Sequence, residues 1–314
     1  MSKQAIVTGG AGFIGSHLAD ALLADGWTVV VIDNLSTGNV ENIPDRADLL
    51  QIDISQDDFL NYMPTGKFDA IFHLAGQSSG EISFADPQYD AKANILGTVL
   101  LLEWCRRTGT DRMIYAGTMG VYGNVTSPVS EDAPLAPLSF YGTGRLANEN
   151  YLRIYRDLGV QSTVLRLFNV FGPRQNMANL RQGMVSIFMS YVAAGEPILV
   201  KGSKERYRDI VYVDDVVRAF ILSESDDKAV NETFNVGTGR KTHVYELLDC
   251  LIEVFGYKPG EFPVEYVGNT PGDQFGIFAD VSKIKRILNW IPEVDLKDGL
   301  TRMREWLLET NRVG

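Results

Sequence analysis

The chain has 314 residues, 45% hydrophobic and 22% charged, enough for one large or two unequal domains around a substantial core. A formal net charge of −11 excludes the concentrated basic face that nucleic acid or an anionic membrane requires. No run of about 18 uncharged apolar residues occurs, and MSKQAIVTGG enters a strand without a signal-peptide core, so a cytoplasmic protein is expected.

Strand-like and helix-like segments alternate through the first two thirds. AIVTGG is a short apolar run ending in glycines, and FIGSHLADALLADG has apolar residues at helical spacing up to Gly26. WTVVVID, DLLQIDI and DAIFHLAG follow as strands, then an amphipathic helix in NILGTVLLLEWCRRTG, the strand RMIYAGT, a helix from Tyr141, and the strand QSTVLRLFNVFG. This rhythm predicts an α/β fold of Rossmann type, a doubly wound parallel sheet with helices on both faces. Beyond Gly172 the pattern loosens. MVSIFMSYVAAG reads as a helix, EPILVKGSKERYRDIVYVDD as short strands and loops, and a helix starts near Asp214. ETFNVGTG is a strand; VYELLDCLIEVFG, SKIKRILNW and LTRMREWLLETN are helices. Residues 1–171 are thus expected to form a dinucleotide-binding domain that regains segments near 209–238, with 172–314 mainly a smaller α+β substrate lobe. Cys105 and Cys250 stand far apart in apolar helical surroundings, which predicts buried thiols rather than a disulfide or metal site.

TGGAGFIGSHL sits where the first strand meets the first helix. Gly10, Gly12 and Gly15 satisfy G-x-G-x-x-G, and Gly9, Gly12 and Gly15 the looser G-x-x-G-x-x-G. Such a turn brings backbone N–H groups against a pyrophosphate at a helix N-terminus. Asp33 closes VVVID, 18 residues after Gly15, where a carboxylate accepts bonds from an adenosine ribose and repels a 2'-phosphate, favouring NAD over NADP. The plainer alternative is that Asp33 starts the turn DNLSTG. Asp53, at the end of a strand in QIDIS, is a candidate for the adenine.

With TGGAGFIG, HLAG at His73 to Gly76, Asn94 in NILGT, VYG at Val121 to Gly123, Tyr141 in SFYG, and RDIVYVDD from Arg208, the chain resembles the nucleotide-sugar epimerases and dehydratases of the extended short-chain dehydrogenase/reductase family, from about residue 4 to 306. The resemblance implies bound NAD, a nucleoside-diphosphate sugar between the lobes, and a homodimer paired through the helices containing Leu100 and Leu146. It assigns cofactor contacts to Gly9, Gly12, Phe13, Ile14, Gly15, Asp33, Asn34, Asp53, Ile54, Leu74, Ala75, Gly76, Asn94, Tyr141 and Arg145. Its substrate contacts fall on Ser83, Thr118, Asn169 and Arg208. Its catalytic serine or threonine falls on Thr118 and its tyrosine on Tyr141, but the lysine four residues later is Arg145 here.

That lysine bonds the nicotinamide ribose and favours a tyrosinate that otherwise forms only near pH 10. Arginine keeps the charge but is planar, bulkier and more weakly hydrated. Three readings stay open: Arg145 takes over the role, the site is slowed, or the protein senses NAD and sugar nucleotide without turnover. Dehydratases of the family place an acidic pair after the threonine. Met119 and Gly120 stand there and cannot move a proton, which favours epimerisation, most often at carbon 4 in this family, over dehydration, decarboxylation or 2-epimerisation. A second diphosphate arginine of the family is missing near PGDQFGIFAD, where Thr270, Gln274 and Phe275 occupy the candidate positions; Arg174 or Arg181 are possible substitutes. Glu81 is either a sugar-loop residue or solvent-facing, and His73 is expected to be structural beside the cofactor.

Overall fold

A computed structural model of the protein describes residues 2–268 and 274–310. Its centre is a seven-stranded parallel sheet made of β1 (Gln4–Thr8), β2 (Thr28–Asp33), β3 (Asp48–Gln51), β4 (Ala70–His73), β5 (Arg112–Thr118), β6 (Gln161–Leu167) and a late strand, β11 (Thr233–Val236). The order is β3-β2-β1-β4-β5-β6-β11, all neighbours running parallel. The strands are apolar almost throughout because both faces are covered. Side chains alternate between them. Ile6, Ile32 and Ile71 face Leu101 and Trp104 of helix α4 (Gly97–Thr108). Val7, Val31 and Phe72 face Leu18 and Leu22 of α1 (Phe13–Ala24) and Phe220 of α7 (Val213–Ser225).

The chain winds outward from β1 to β3, then crosses to β4 on the other side of β1, so a crevice opens at the carboxyl ends of the strands between β1 and β4. ETFNVGTG returns to the sheet as β11, and α7 packs on α1 and the sheet. The segment between β4 and α4, read from sequence largely as loop, holds two short helices, α2 (Gly80–Ala85) and α3 (Pro87–Ala91), and a π-turn at Lys92–Leu96. Side-chain caps explain them: Ser79 accepts from Ile82 N–H and Asp86 from Tyr89 N–H.

The smaller lobe is stitched from short pairings. β7 (Asn169–Phe171) lies beside β10 (Ile210–Tyr212), β8 (Ile198–Lys201) beside β13 (Val264–Val267), and β9 (Tyr207–Arg208) between β12 (Thr242–His243) and β14 (Gly276–Ile277). Helices α6 (Met184–Ala194), α8 (Val244–Val254), α9 (Ser282–Leu288) and α10 (Leu296–Glu309) cover them. α10 begins four residues earlier than its apolar pattern, because Asp295 caps it by accepting from Asp298 N–H.

Helix α5 (Phe140–Arg156) carries Tyr141 and Arg145, and a buried ion pair fixes its place on the sheet. Arg166 of β6 donates through Nε to Glu149 Oε1 at 3.0 Å and through Nη2 to Oε2 at 2.7 Å. The two side chains are only 5% and 10% exposed. Glu149→Ala leaves that guanidinium charge buried without its carboxylate, so denaturant unfolding should show a loss of about 3–5 kcal/mol. A loss below about 1 kcal/mol would mean the pair does not anchor the helix.

Candidate active site

The crevice opens into a cavity of 690 Å³ whose walls come from the turns after β1, β2, β3 and β4, the ends of β5 and β6, and the α6 to β8 region of the smaller lobe. On the β1 side, α1 starts at Phe13 with Gly12 as its cap and no side chain bonding its first amides. Those N–H groups and the positive end of the helix dipole therefore remain for an anionic ligand. The turn is tight. A Cβ on Gly15 would stand 2.2 Å from the Gly9 carbonyl oxygen, so any side chain there forces the cradle apart.

Asp33 sits at the floor of this half. Its carboxylate accepts from Ala11 N–H at 3.0 Å and Leu35 N–H at 2.8 Å. It thus starts the turn and lines the cavity at once, and burial pushes its carboxyl up. Asn34 and Ile54 share this wall. Asp53 also lines it but follows β3 rather than ending it, since the strand stops at Gln51. Burial alone would raise the Asp53 carboxyl, yet hydrogen bonds from Ser55, Asn34 and Gln56 together hold it low.

The reactive half is built by α5 and the end of β5. Ser139 caps α5 by accepting from Gly142 N–H at 3.0 Å, which places Tyr141 in the first turn facing the cavity and Arg145 one turn below it. Thr118 ends β5 with its Oγ1 accepting from Gly120 N–H at 3.1 Å, so its hydroxyl proton is available to a ligand oxygen.

Arg145 is only 3% exposed. Its Nη1 donates to the Tyr115 hydroxyl and to the Ala116 carbonyl, both at 3.2 Å. Its guanidinium carbon lies 5.3 Å from the centre of the Tyr141 ring and 5.6 Å from that of Tyr115. Burial opposes its charge, but the phenol oxygens of Tyr115 and Tyr141 and the carboxylate of Asp90 outweigh that and make it harder to deprotonate than usual. Gly76, at φ +138°, lets the backbone run against this cation: a Cβ there would meet Arg145 Nη2 at 2.9 Å and Asn94 Oδ1 at 2.4 Å.

Not every sequence assignment lands on the wall. Asn94 is buried behind Gly76, donating to the Gln77 carbonyl and to Asp90, both at 3.0 Å, so it supports the site and does not line it. Ser83 is fully buried and donates to the Gly80 carbonyl at 2.7 Å because α2 turns its side chain inward. Ser83 therefore does not line the cavity. Glu81 does line the cavity, paired with Lys201 of the other lobe at 3.0 Å. His73 is fully buried between the hydroxyls of Thr8 at 2.7 Å and Thr98 at 2.9 Å. Burial and then Arg145 push its imidazole down to about 3, so it is a neutral strut.

Asn169 and Arg208 line the cavity on the side of the smaller lobe. Arg208 donates to the carbonyls of Tyr207, Gln274 and Phe275, which holds its guanidinium at the wall. The Gln274 side chain donates to the Gly123 carbonyl and Phe275 is exposed, so neither stands in for a diphosphate cation; Thr270 lies outside the described residues. Of the substitutes, Arg174 lines the cavity but bonds Asp20 at 2.6 Å, while Arg181 lines it from an exposed turn.

Among the described residues, Arg145 Nε and Asn169 Oδ1 are buried without partners, although both residues reach the cavity. Unpartnered buried polar atoms of that kind fit a polyhydroxylated ligand that completes them. With the glycine cradle and Asp33, the residues present fit a dinucleotide. Sequence reasoning missed Tyr115, which accepts from Arg145, Asn148, which donates to Tyr115 at 2.8 Å, and Asp90 with Gln77, which donates to it at 2.9 Å; nothing in their local spacing marks them.

Residues 5–237 match the family described as the NAD dependent epimerase/dehydratase family. A UDP-glucose 4-epimerase of Mycolicibacterium smegmatis is 37% identical over 96% of this chain and 98% of its own length. UDP-glucuronic acid decarboxylase 1 of Arabidopsis thaliana is 32% identical over 95% of this chain and 68% of its own. Among solved structures, the UDP-glucose 4-epimerase of Thermotoga maritima with UDP-glucose superposes with a TM-score of 0.90 at 39% identity, covering 98% of this chain and 99% of that one. The chain belongs to the NAD dependent epimerase/dehydratase family.

Arg145→Lys tests the cation. One ammonium cannot serve Tyr115, Ala116 and the cavity together, so calorimetry should show NAD bound about 10- to 100-fold more weakly, equivalent to one or two charge-assisted bonds. Unchanged or tighter binding would show that the guanidinium shape is incidental. His73 supplies a pH signature. Its folded value of about 3 lies below the unfolded 6.5, so its stability contribution is complete above pH 6.5 and drains away as pH falls towards 3. The slope reaches about 1.4 kcal/mol per pH unit, and His73→Asn should flatten it in acid unfolding curves.

Proposed function

We propose that this protein epimerises carbon 4 of a UDP-sugar, with NAD as its cofactor, through a keto-sugar intermediate. The carrying observation is Tyr141 at the cavity with Arg145 one turn behind it, next to a Thr118-Met119-Gly120 corner that lacks any second acid. Bound NAD would supply the hydride acceptor and donor, held by the turn at Gly9, Gly12 and Gly15, by Asp33 and by Arg145.

Tyr141, as phenolate, takes the proton of the sugar hydroxyl, and the Arg145 cation under its ring stabilises that charge. The Thr118 hydroxyl donates to the same sugar oxygen and keeps it directed at Tyr141. Asn169 and Arg208 lie on the side of the cavity where a diphosphate would be gripped, which leaves the sugar free to turn its other face to the dinucleotide before Tyr141 returns the proton. Elimination of water needs a group to protonate the departing hydroxyl, and Met119 and Gly120 have none.

Phe140, Tyr151 and Ile154 of α5 are exposed apolar side chains. They support our inference that a second copy of the chain pairs there with α4 and α5. A cytoplasmic setting is part of the same reading.

Incubation with UDP-glucose, UDP-N-acetylglucosamine and UDP-glucuronate, with products resolved by NMR, tests the activity. The expected result is interconversion of 4-epimers without net reduced cofactor. Loss of carbon dioxide or water, or binding with no product, would overturn it. Tyr141→Phe should lower turnover by about 10³-fold or more while NAD binding survives.

A further inference from the structure

A buried arginine beside two phenols raises a question of charge. Among the described residues, Arg145 hydrogen bonds uncharged acceptors, the Tyr115 hydroxyl and the Ala116 carbonyl. An uncompensated buried cation is costly and overstabilises every nearby anion. The carboxylate whose field acts on it is Asp90 of α3, which is 1% exposed. Its Oδ1 accepts from Gln77 Nε2 at 2.9 Å and Asn94 Nδ2 at 3.0 Å. Both donors are themselves locked, Gln77 Nε2 to the Ser79 carbonyl at 2.8 Å and Asn94 Nδ2 to the Gln77 carbonyl at 3.0 Å. α5 comes close here, for a Cβ on Gly144 would lie 3.6 Å from Asp90 Oδ2.

We propose that Asp90 is a positioning residue that acts through Arg145: its fixed charge offsets part of the guanidinium field and so sets the pH at which Tyr141 works. This rests on the reading of Tyr141 as the acid/base. The physical logic is a balance. With Asp90 ionised, Tyr141 feels a cation partly offset by a nearby anion. Without Asp90, the full guanidinium charge acts on Tyr141 and makes its phenolate form at lower pH.

The other groups around this cluster leave Asp90 as the balancing charge. Tyr115 of β5 shares the guanidinium and is pushed up by burial. His73 of β4, its ring 5.6 Å from Tyr115, is neutral. Glu81 of α2 is paired with Lys201, and Glu149, two turns along α5, with Arg166 of β6. Glu103 of α4 pairs with Arg106 and accepts from Tyr155 at the far end of α5, and Lys92 of the π-turn is exposed. Burial raises the Asp90 carboxyl, and Arg145 with the two amides offsets part of that rise.

The test is the ionisation of Tyr141 in the NAD-bound protein, followed by tyrosinate difference absorbance and isolated by subtracting the Tyr141→Phe form of each variant, which also removes the contribution of Tyr115. Asp90→Asn keeps the two accepted bonds and removes the charge; Asp90→Ser removes the charge without adding an amide. Each should move the Tyr141 transition, and the acid limb of the turnover profile, to lower pH by about one unit. Asp86→Asn, an exposed cap of the same helix, should leave both in place. Curves that coincide with the unsubstituted protein would overturn the proposal, and so would failure of both Asp90 variants to fold, since the carboxylate would then be a member of the scaffold. The absorbance readout needs no substrate, so it stands apart from whether the protein proves to be an epimerase.

Discussion

A guanidinium held out of water between two phenols is the interaction on which the site depends. Arg145 donates through Nη1 to Tyr115 and the β5 backbone, and its guanidinium carbon lies 5.3 Å from the centre of the Tyr141 ring. Taking a cation out of water requires compensation from every side. Tyr115 comes from β5, Gln77 from the turn after β4, Asp90 from α3, Asn94 from the π-turn and Asn148 from α5. The glycine at position 76 and the irregular helical stretch before α4 make sense as accommodations to that cage.

The fold delivers these pieces because of one topological choice. The crossing from β3 to β4 puts the β1 and β4 turns side by side, so the anion-binding start of α1 and the Arg145 cage face the same cavity. The smaller lobe closes the other side; a continuous apolar core joins it to the sheet domain, and polar contacts are added at the mouth. Gln182 donates to Ser78 Oγ at 2.7 Å, Ser79 donates to the Arg181 carbonyl at 3.2 Å, and Lys201 meets Glu81. Exposed contacts of this kind are individually weak, which suits lobes that must admit a large ligand.

Much of this architecture was legible from sequence for a physical reason. Strands buried on both faces have to be apolar throughout, so β1, β2, β4, β5 and β6 announce themselves, and the turn at Gly9 to Gly15 needs residues without side chains. Where a single side chain decides the structure, the pattern is silent. α2 and α3 exist because Ser79 and Asp86 cap them, and nothing in the pattern GEISF shows that Ser83 turns toward the Gly80 carbonyl. Tyr141 and Arg145 could be found because one helical turn joins them. Asp90 and Tyr115 could not, since they stand 55 and 30 residues from Arg145 in the chain and look locally like a helix polar residue and a core aromatic.

On this reading Arg145 serves cofactor and phenol at once from an anchored position. A crystal structure of the protein with NAD and UDP-glucose measures this directly. The nicotinamide ribose should lie within hydrogen-bond distance of the Arg145 guanidinium beside Gly76, with Nη1 still on Tyr115 and Ala116 and the Tyr141 hydroxyl on the sugar oxygen. A guanidinium swung away from Tyr115, or a dinucleotide lying elsewhere than along the β1 and β4 turns, would contradict it.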